Sequence, residues 1–404
     1  METQLDAAVV GGGWAGLSVS AALQAAGLRH LVLEKRRICE TWRMQRWDSF
    51  RMNTTNALTV MPGARYGGDD PDGFMTRDAF VAMVEGFAAR RSLPVETGRA
   101  VTTLERYAAG GFVLATPQGV VEARNVVIAS GNLNVPKRPA SAAGLPDAVL
   151  QLDASDYRSA GQLPPGAVLV VGAGNSGGQI AEDLARAGRP VFLATGRNGR
   201  VPRRYRNRDI LDWLIDTGRM EKPRTAATGR PLLGATHTIS LQSLSALGVV
   251  MLGRFLDAAP DGVMTFADDL AESAAFADQV SADIKREIDD FIAAAGLSAP
   301  VALPDEGEAV ERRFPDPPIL ALDLAARGIA TVIWSIGFRG DYGWVLVPGA
   351  IDDRGEPVQQ RGISVPGVYF AGLDTSDSLK AGTVMVAAEE SDRIVGHILK
   401  RGGA

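Results

Sequence analysis

Leu5-Asp6-Ala7-Ala8-Val9-Val10-Gly11-Gly12-Gly13-Trp14-Ala15-Gly16 is followed by the small-residue stretch Leu17 to Ala26 and then by Leu31-Val32-Leu33-Glu34. This stretch decides the fold. The apolar run predicts a strand, the glycines a tight turn, the small residues a helix and Leu31 to Leu33 a second strand. Each glycine has its own task in such a unit. Gly11 lets the chain turn sharply, Gly13 lets the backbone approach a pyrophosphate, and Gly16 lets helix and strand pack closely. Trp14 and Ala15 open the helix, whose free N–H groups face the phosphates. Glu34 lies 18 residues after Gly16, near the spacing at which an acid accepts a ribose hydroxyl, and Lys35 follows it. The unit reads as a dinucleotide site.

A near-copy appears 161 residues later: Ala167-Val168-Leu169-Val170-Val171, then Gly172-Ala173-Gly174-Asn175-Ser176-Gly177, a helix over Gln179 to Ala187 and a strand at Val191 to Ala194. Two such units predict two dinucleotide sites in two domains. Their second strands end differently. Glu34 suits a bare ribose. The other strand runs into Thr195-Gly196-Arg197-Asn198-Gly199-Arg200, with Arg203 and Arg204 beyond it. Guanidinium groups there can bind a 2′-phosphate through paired hydrogen bonds, so Arg197 and Arg200 favour NADPH over NADH.

The totals bound the rest. A chain of 404 residues, 46% hydrophobic and 22% charged, is globular and too long for one ordinary core. A net charge of −5 argues against nucleic acid as the main partner. Cys39 is the sole cysteine, which excludes an intrachain disulfide and a paired-thiol relay. The three histidines, His30, His237 and His397, lack metal-ligand spacing, and no metal is expected. No apolar run is long enough to span a bilayer and no leader is evident, so the cytoplasm is the expected compartment. A homo-oligomer is compatible with the sequence.

Between the units, Glu40 to Thr55 is rich in Trp, Arg and Asn and has no helical or strand period, which suits a site-lining loop. Thr76 to Ser92 has helical spacing. Strands are expected over residues 100–104, 111–115, 119–123 and 125–131, the last closing on Ala129-Ser130-Gly131. Pro136 and Pro139 mark a crossing between domains. Apolar positions from Leu270 through Phe276, Val280, Ile284, Ile288, Phe291 and Ile292 predict an amphipathic helix over 268–295. Near the end come a strand over 330–338, another at Val368 to Asp374, and a helix over Ala381 to Leu399. Gly372 and Asp374 with that helix N-terminus make a flavin cradle, Asp374 accepting a ribityl hydroxyl. Trp42, Trp47, Met52, His237, Gln242 and Trp344 are candidate substrate-lining residues.

These motifs resemble the class B flavoprotein monooxygenases, which use one FAD and one NAD(P)H, and among them the bacterial CzcO-like proteins and the plant indole-pyruvate monooxygenases. The resemblance rests on Gly11-x-Gly13-x-x-Gly16 with Glu34, Thr41-Trp42, Trp47 to Arg51, Asn53, Ala129-Ser130-Gly131, Gly172 to Gly177, the strand Ile333 to Phe338, and Gly372 to Asp374. It implies an α/β fold of two Rossmann-like dinucleotide-binding domains, the NADPH domain inserted into the FAD domain. The expected bounds are 1–149 and 325–404 for FAD and 150–324 for NADPH, with a substrate-lining insertion about 201–260. It also implies Thr41, Trp42 and Arg51 at the cofactor, and Asn53 beside the flavin as the catalytic side chain.

The sequence departs from the family in three places. Only Tyr157 fits the usual FxGxxxHxxxY signature, since Asp147, Val149 and Asp153 occupy the Phe, Gly and His places. Ser335-Ile336-Gly337 replaces Ala-Thr-Gly, and Cys39-Glu40 replaces the glycines before Thr-Trp. The expected activity is insertion of one atom of O₂ into a small organic substrate through a flavin C4a-(hydro)peroxide, by N- or S-oxygenation or attack on a carbonyl. The alternatives are an NADPH-dependent flavoprotein reductase or oxidase without oxygen insertion, and a non-catalytic redox-sensing flavoprotein. A two-nucleotide disulfide reductase would need a cysteine pair.

Overall fold

β1 (Leu5–Val10), α1 (Trp14–Ala25) and β2 (His30–Glu34) form where the fingerprint expects them in a computed structural model that describes residues 4–107, 110–224 and 231–402. Ala7 to Val10 are buried because both faces of the strand are covered. A short helix α2 (Glu40–Met44) and the longer α3 (Arg77–Arg90) follow. Thr76 starts α3 by accepting from the Ala79 N–H at 3.1 Å. Phe80, Val81, Val84, Phe87 and Ala88 bury one face of α3 at helical spacing. Then come β3 (Val95–Thr97), β4 (Thr103–Arg106), β5 (Phe112–Thr116) and β6 (Gly119–Ile128), the last a single strand where two were expected.

β7 (Val135–Pro136) leads into β8 (Leu150–Asp153), and β9 (Ala167–Val171), α4 (Asn175–Arg186) and β10 (Val191–Ala194) repeat the opening unit. A small ribbon, β11 (Arg204–Tyr205) with β12 (Arg208–Asp209), carries α5 (Ile210–Asp216), and α6 (Leu241–Ala246) precedes β13 (Val250–Leu252). Strands β14 (Phe255–Ala258) and β15 (Val263–Phe266) lead into α7 (Leu270–Ala294), and α8 (Glu306–Ala309) follows. The chain ends with β16 (Ala321–Asp323), β17 (Ile329–Trp334), β18 (Phe338–Arg339), β19 (Val368–Phe370) and α9 (Ala387–Gly402).

The first sheet has the order β3-β2-β1-β6-β5-β4, with β19 parallel to the end of β6. The second has the order β13-β10-β9-β17-β8, and all its pairs are parallel. This is an α/β fold with a switch of strand order beside each glycine turn. In such open sheets ligands bind beyond the carboxyl ends of the strands at that point.

Two expectations about boundaries need correction. β17 was expected in the second FAD segment, 325–404, but it pairs with β9 and β8 in the second sheet. Its run Ile329–Trp334 is apolar on both faces and would suit either sheet, so composition did not tell which. The insertion expected over 201–260 ends earlier, because Val250–Leu252 pairs with β10 as an edge of the same sheet. Both passages between the sheets run side by side: β7 and β18 pair antiparallel, Val135 with Arg339 and Pro136 with Phe338.

Two helices also differ from expectation. α7 buries Leu270, Ser273, Ala274, Ala277, Ser281, Ile284 and Ile288, so its inner face is lined partly by small residues. Phe276 lies outside that face. The segment before α9 is a 3₁₀ turn over Val384–Val386, and the helix starts at Ala387 rather than Ala381.

Candidate functional site

The two glycine turns are sterically the same object. At Gly11, φ is +117° and an added Cβ would lie 2.4 Å from the Ala129 carbonyl oxygen. At Gly16 it would lie 2.0 Å from the Gly11 oxygen. Around Gly13 nothing stands within 4 Å. The second turn repeats this. An added Cβ at Gly172 (φ +103°) would meet the Ser335 oxygen at 2.5 Å, one at Gly177 the Gly172 oxygen at 1.7 Å, and one at Gly174 nothing. The outer glycines of each trio are needed for packing, and the middle one faces open space.

Helices α1 and α4 both start without a side-chain cap on their first N–H groups. Such groups need acceptors, and a pyrophosphate supplies them. In the first cradle the Ser130 hydroxyl is buried without a hydrogen-bond partner among the described residues, beside the Ala129 carbonyl that closes the turn. Glu34 is 7% exposed and accepts from the Gly12 N–H at 2.6 Å and the Arg36 N–H at 2.8 Å. Gly372 (φ +72°) packs so close that an added Cβ would lie 2.5 Å from the Ala15 Cβ, bringing the end of β19 onto the start of α1, beside Trp14. The Gly372 N–H donates to Glu390 at 2.7 Å, and burial pushes the Glu390 carboxyl up to about 7. These features fit a dinucleotide in each cradle.

The loop between α2 and Thr55 lies against the second unit. Gln179 and Asp183, one turn apart on α4, each hold a loop residue. Gln179 Nε2 donates to Asn53 Oδ1 at 3.0 Å, and the Ser49 hydroxyl donates to Asp183 at 2.5 Å. Tyr157 also donates to Asp183, which gives the one matching residue of the degenerate signature a tethering contact. Arg203 Nη1 donates to the Asn53 carbonyl at 2.9 Å and to the Gly234 carbonyl at 3.2 Å. Arg203 and its ion-pair partner Asp209 are both 1% exposed.

Several expected site residues have other work. Arg200 was expected at a 2′-phosphate, but it is 4% exposed and pairs with Asp278 at 2.6 Å and Glu308 at 3.1 Å. It pins the 305–310 segment to α7. Arg197, by contrast, is exposed at the end of β10 and stacks over Phe276 with its guanidinium carbon 4.4 Å from the ring centre. Asp374, expected at a ribityl hydroxyl, pairs through Oδ1 with Arg224 at 2.5 Å and so joins the two units. Asn175 Oδ1 accepts from the Leu233 N–H at 2.7 Å, and Ser176 stands beside it at the start of α4. Arg51 is exposed and donates to the Phe74 carbonyl of its own loop. Lys35 and Thr41 are exposed. Gly131 (φ +76°) has open space where a side chain would be, and its carbonyl accepts from Tyr342.

The aromatic loop residues pack on one another. Trp42 lies 4.5 Å from Phe80 and Trp47 5.1 Å from Phe50, centre to centre, and Trp47 and Met52 are buried. Gln242 is buried and donates to Asp278, and Trp344 donates to Asp341. Among the candidate lining residues, His237 lines a cleft of about 620 Å³, with Glu182, Arg186 and Arg204 around it. Cys39 is 2% exposed, and burial pushes its thiol up to about 12, so it is inert as a nucleophile. Gln179, Asp183, Arg203 and Arg224 were not read from the sequence as tethers. Gln179 and Asp183 share a helix face by their spacing of four, but nothing local says what that face meets.

Residues 8–212 match the pyridine nucleotide-disulphide oxidoreductase family. A CzcO-like oxidoreductase of Geobacillus kaustophilus is 28% identical over 379 residues, covering 92% of each chain. The indole-3-pyruvate monooxygenase YUCCA1 of Oryza sativa is 31% identical over 185 residues, 45% of each chain. Among solved structures, a flavin-containing monooxygenase from Stenotrophomonas maltophilia superposes with a TM-score of 0.69 over 98% of this chain and 99% of that one, at 16% identity. No helix among the described residues is long and apolar enough to cross a membrane, and no group of His, Cys, Asp or Glu among them could hold a metal. The fold, the paired cradles and the family match lead to one assignment: the chain belongs to the pyridine nucleotide-disulphide oxidoreductase family, and it is similar in sequence to CzcO-like oxidoreductases and in fold to flavin-containing monooxygenases.

Proposed function

We propose that the protein uses NADPH and FAD to insert one oxygen atom of O₂ into a small organic substrate, at a nitrogen, a sulfur or a carbonyl carbon. In this reading FAD occupies the cradle of Gly11, Gly13 and Gly16 with Glu34, Ala129 and Gly131 beside it. NADPH occupies that of Gly172, Gly174 and Gly177, and the enzyme works in the cytoplasm. The observation that carries the reading is the place of Asn53, the polar loop residue held from the second unit by both its side chain and its backbone carbonyl. The single buried, unreactive cysteine supports oxygen rather than a protein disulfide as the destination of the electrons.

When bound, the flavin supplies hydride acceptance and oxygen activation. The chain supplies binding and exclusion of water. The N–H groups of α1 and α4 hold the two pyrophosphates, and Glu34 accepts the adenosine ribose of the first. The packed aromatic loop keeps bulk water from the junction. Asn53 Nδ2 donates to none of the described residues, so its two N–H groups are available to a bound cofactor.

Asn53→Ala is expected to keep FAD and to be reduced by NADPH at a near-normal rate. Oxygenated product should fall by about 10²-fold, the effect of removing one donor aimed at developing charge, and hydrogen peroxide should take its place. A peroxide assay beside product analysis with labelled O₂ checks this over a panel of amines, sulfides, keto acids and ketones. Unchanged peroxide yield sinks the role of Asn53, and a wild type that yields no oxygenated product from any of them sinks the function.

Coenzyme choice rests on Arg197 alone once Arg200 is seen to be paired. Arg197→Ala should weaken NADPH by about 10- to 100-fold relative to NADH, the loss of charged hydrogen bonds to a 2′-phosphate. Titration of the flavoprotein with each coenzyme measures it. Equal losses for both would remove Arg197 from the phosphate site.

A further inference from the structure

A primary carboxamide presents an acceptor on one side and two donors on the other, and a half-turn exchanges them. Whichever neighbour meets one end therefore decides what the other end offers. Asn53 Oδ1 accepts from Gln179 Nε2 at 3.0 Å. The same nitrogen donates to the Leu233 carbonyl at 3.0 Å. A backbone carbonyl can only accept, so the Gln179 amide cannot turn over: its nitrogen must face Leu233, and its second N–H must face Asn53. Asn53 must then meet Gln179 with its oxygen. Gln179 is 8% exposed and lies in the second turn of α4, so water does not substitute for either contact. Arg203, locked by Asp209, holds the Asn53 backbone carbonyl at 2.9 Å and keeps the residue from swinging as a whole.

We propose that Gln179 is a positioning residue that sets the sense of the Asn53 carboxamide, so that Asn53 offers N–H donors and not its oxygen to the bound cofactors. The relay runs Leu233 carbonyl, Gln179 amide, Asn53 amide. It spans the two units, because Gln179 and Leu233 belong to the second and Asn53 to the first. Its far end is tied to the start of α4 as well: the Leu233 N–H donates to Asn175 Oδ1 at 2.7 Å. The residue flanking the second cradle and the flavin-side asparagine thus share one chain of hydrogen bonds. The inference rests on the role given to Asn53 above.

The test compares holoenzymes: wild type, Asn53→Ala, Gln179→Met, Gln179→Glu and the double variant Asn53→Ala/Gln179→Met. Gln179→Met keeps the volume and removes both donors. Gln179→Glu keeps the shape but at neutral pH can only accept, so it draws the Asn53 N–H groups toward itself. Peroxide formed per NADPH oxidised is measured for each, with FAD content, the dissociation constant for NADP⁺ by calorimetry and the thermal midpoint. Both Gln179 variants are expected to raise the peroxide fraction by about three- to tenfold, the weight of one neutral hydrogen bond. FAD content should be unchanged. The double variant should leak no more than Asn53→Ala, since a residue acting through another adds nothing once that other is gone. Wild-type peroxide from either folded Gln179 variant, while Asn53→Ala leaks, overturns the inference and leaves the role of Asn53 standing. Additive leakage in the double variant overturns it too. If Asn53→Ala itself does not leak, the role of Asn53 fails first and the relay with it. Should Gln179→Met not fold, the peroxide fraction of Gln179→Glu decides by itself: raised, it supports the relay, and at the wild-type level it overturns it.

Discussion

Gly13→Val is expected to give a folded, colourless protein. Gly13 has φ −84° and ψ −178°, extended backbone that valine adopts without strain, and an added Cβ meets nothing within 4 Å. The substitution is therefore silent in the chain alone. The open space is where the backbone must approach a pyrophosphate, above N–H groups that no side chain caps. The branched side chain fills it. Wild type should purify with about one FAD per chain, and the variant with almost none. The thermal midpoint of the variant should equal that of wild-type protein stripped of FAD, because the difference between holo and apo forms is binding energy. Visible absorbance against protein absorbance measures the first, and a melting curve with and without added FAD the second. A yellow Gly13→Val protein would show that the flavin does not lie on this turn. Gly16 cannot serve as the test, since its Cβ would stand 2.0 Å from a backbone oxygen and would disrupt the turn itself.

Arg203→Met should cost the most stability of any single change considered, about 3–5 kcal/mol. Burial pulls the Arg203 guanidinium below its usual range, and Asp209 opposes that pull. Removing the arginine leaves the Asp209 carboxylate 1% exposed with no cation against it, although it would still accept the Leu211 N–H at the start of α5. It also frees the carbonyls of Asn53 and Gly234. The double variant Arg203→Met/Asp209→Leu removes the stranded charge. It should recover most of the loss, short of about 1 kcal/mol for the missing helix cap. The Asn53 tether is not restored, so the double variant should remain leaky to peroxide while nearly as stable as wild type. Urea midpoints and peroxide yields, measured together, separate the two effects. A double variant less stable than Arg203→Met would mean that the pair is not held as a buried ion pair.

The two glycine turns were legible in the chain because their causes are local. Whether Gly11, Gly13 and Gly16 can turn, approach and pack is settled by the backbone of about thirty residues that form one strand–turn–helix unit. The repeat at Gly172, Gly174 and Gly177 confirms the rule, since the same positions meet the same kinds of backbone atoms. The helices at Arg77–Arg90 and Leu270–Ala294 were legible for a similar reason, one apolar side per turn.

Tertiary structure alone decided what each polar side chain does. Arg197 and Arg200 look equivalent in a loop of mixed polarity. Among the described residues one is met only by the ring face of Phe276, and the other is occupied because Asp278 and Glu308, far along the chain, come to it. Asp374, expected at a cofactor hydroxyl, is met by Arg224, 150 residues away in the chain. The strand Ile329–Trp334 could join either sheet, because a doubly covered strand is apolar on both sides whichever sheet it enters. For Asn53 the sequence determined a polar residue in an aperiodic loop, and the junction of the two units determined which end of it faces outward. A carboxamide has no direction until a group that can only donate or only accept fixes it; here the Leu233 carbonyl fixes Gln179, and Gln179, 126 residues from Asn53, passes that direction on.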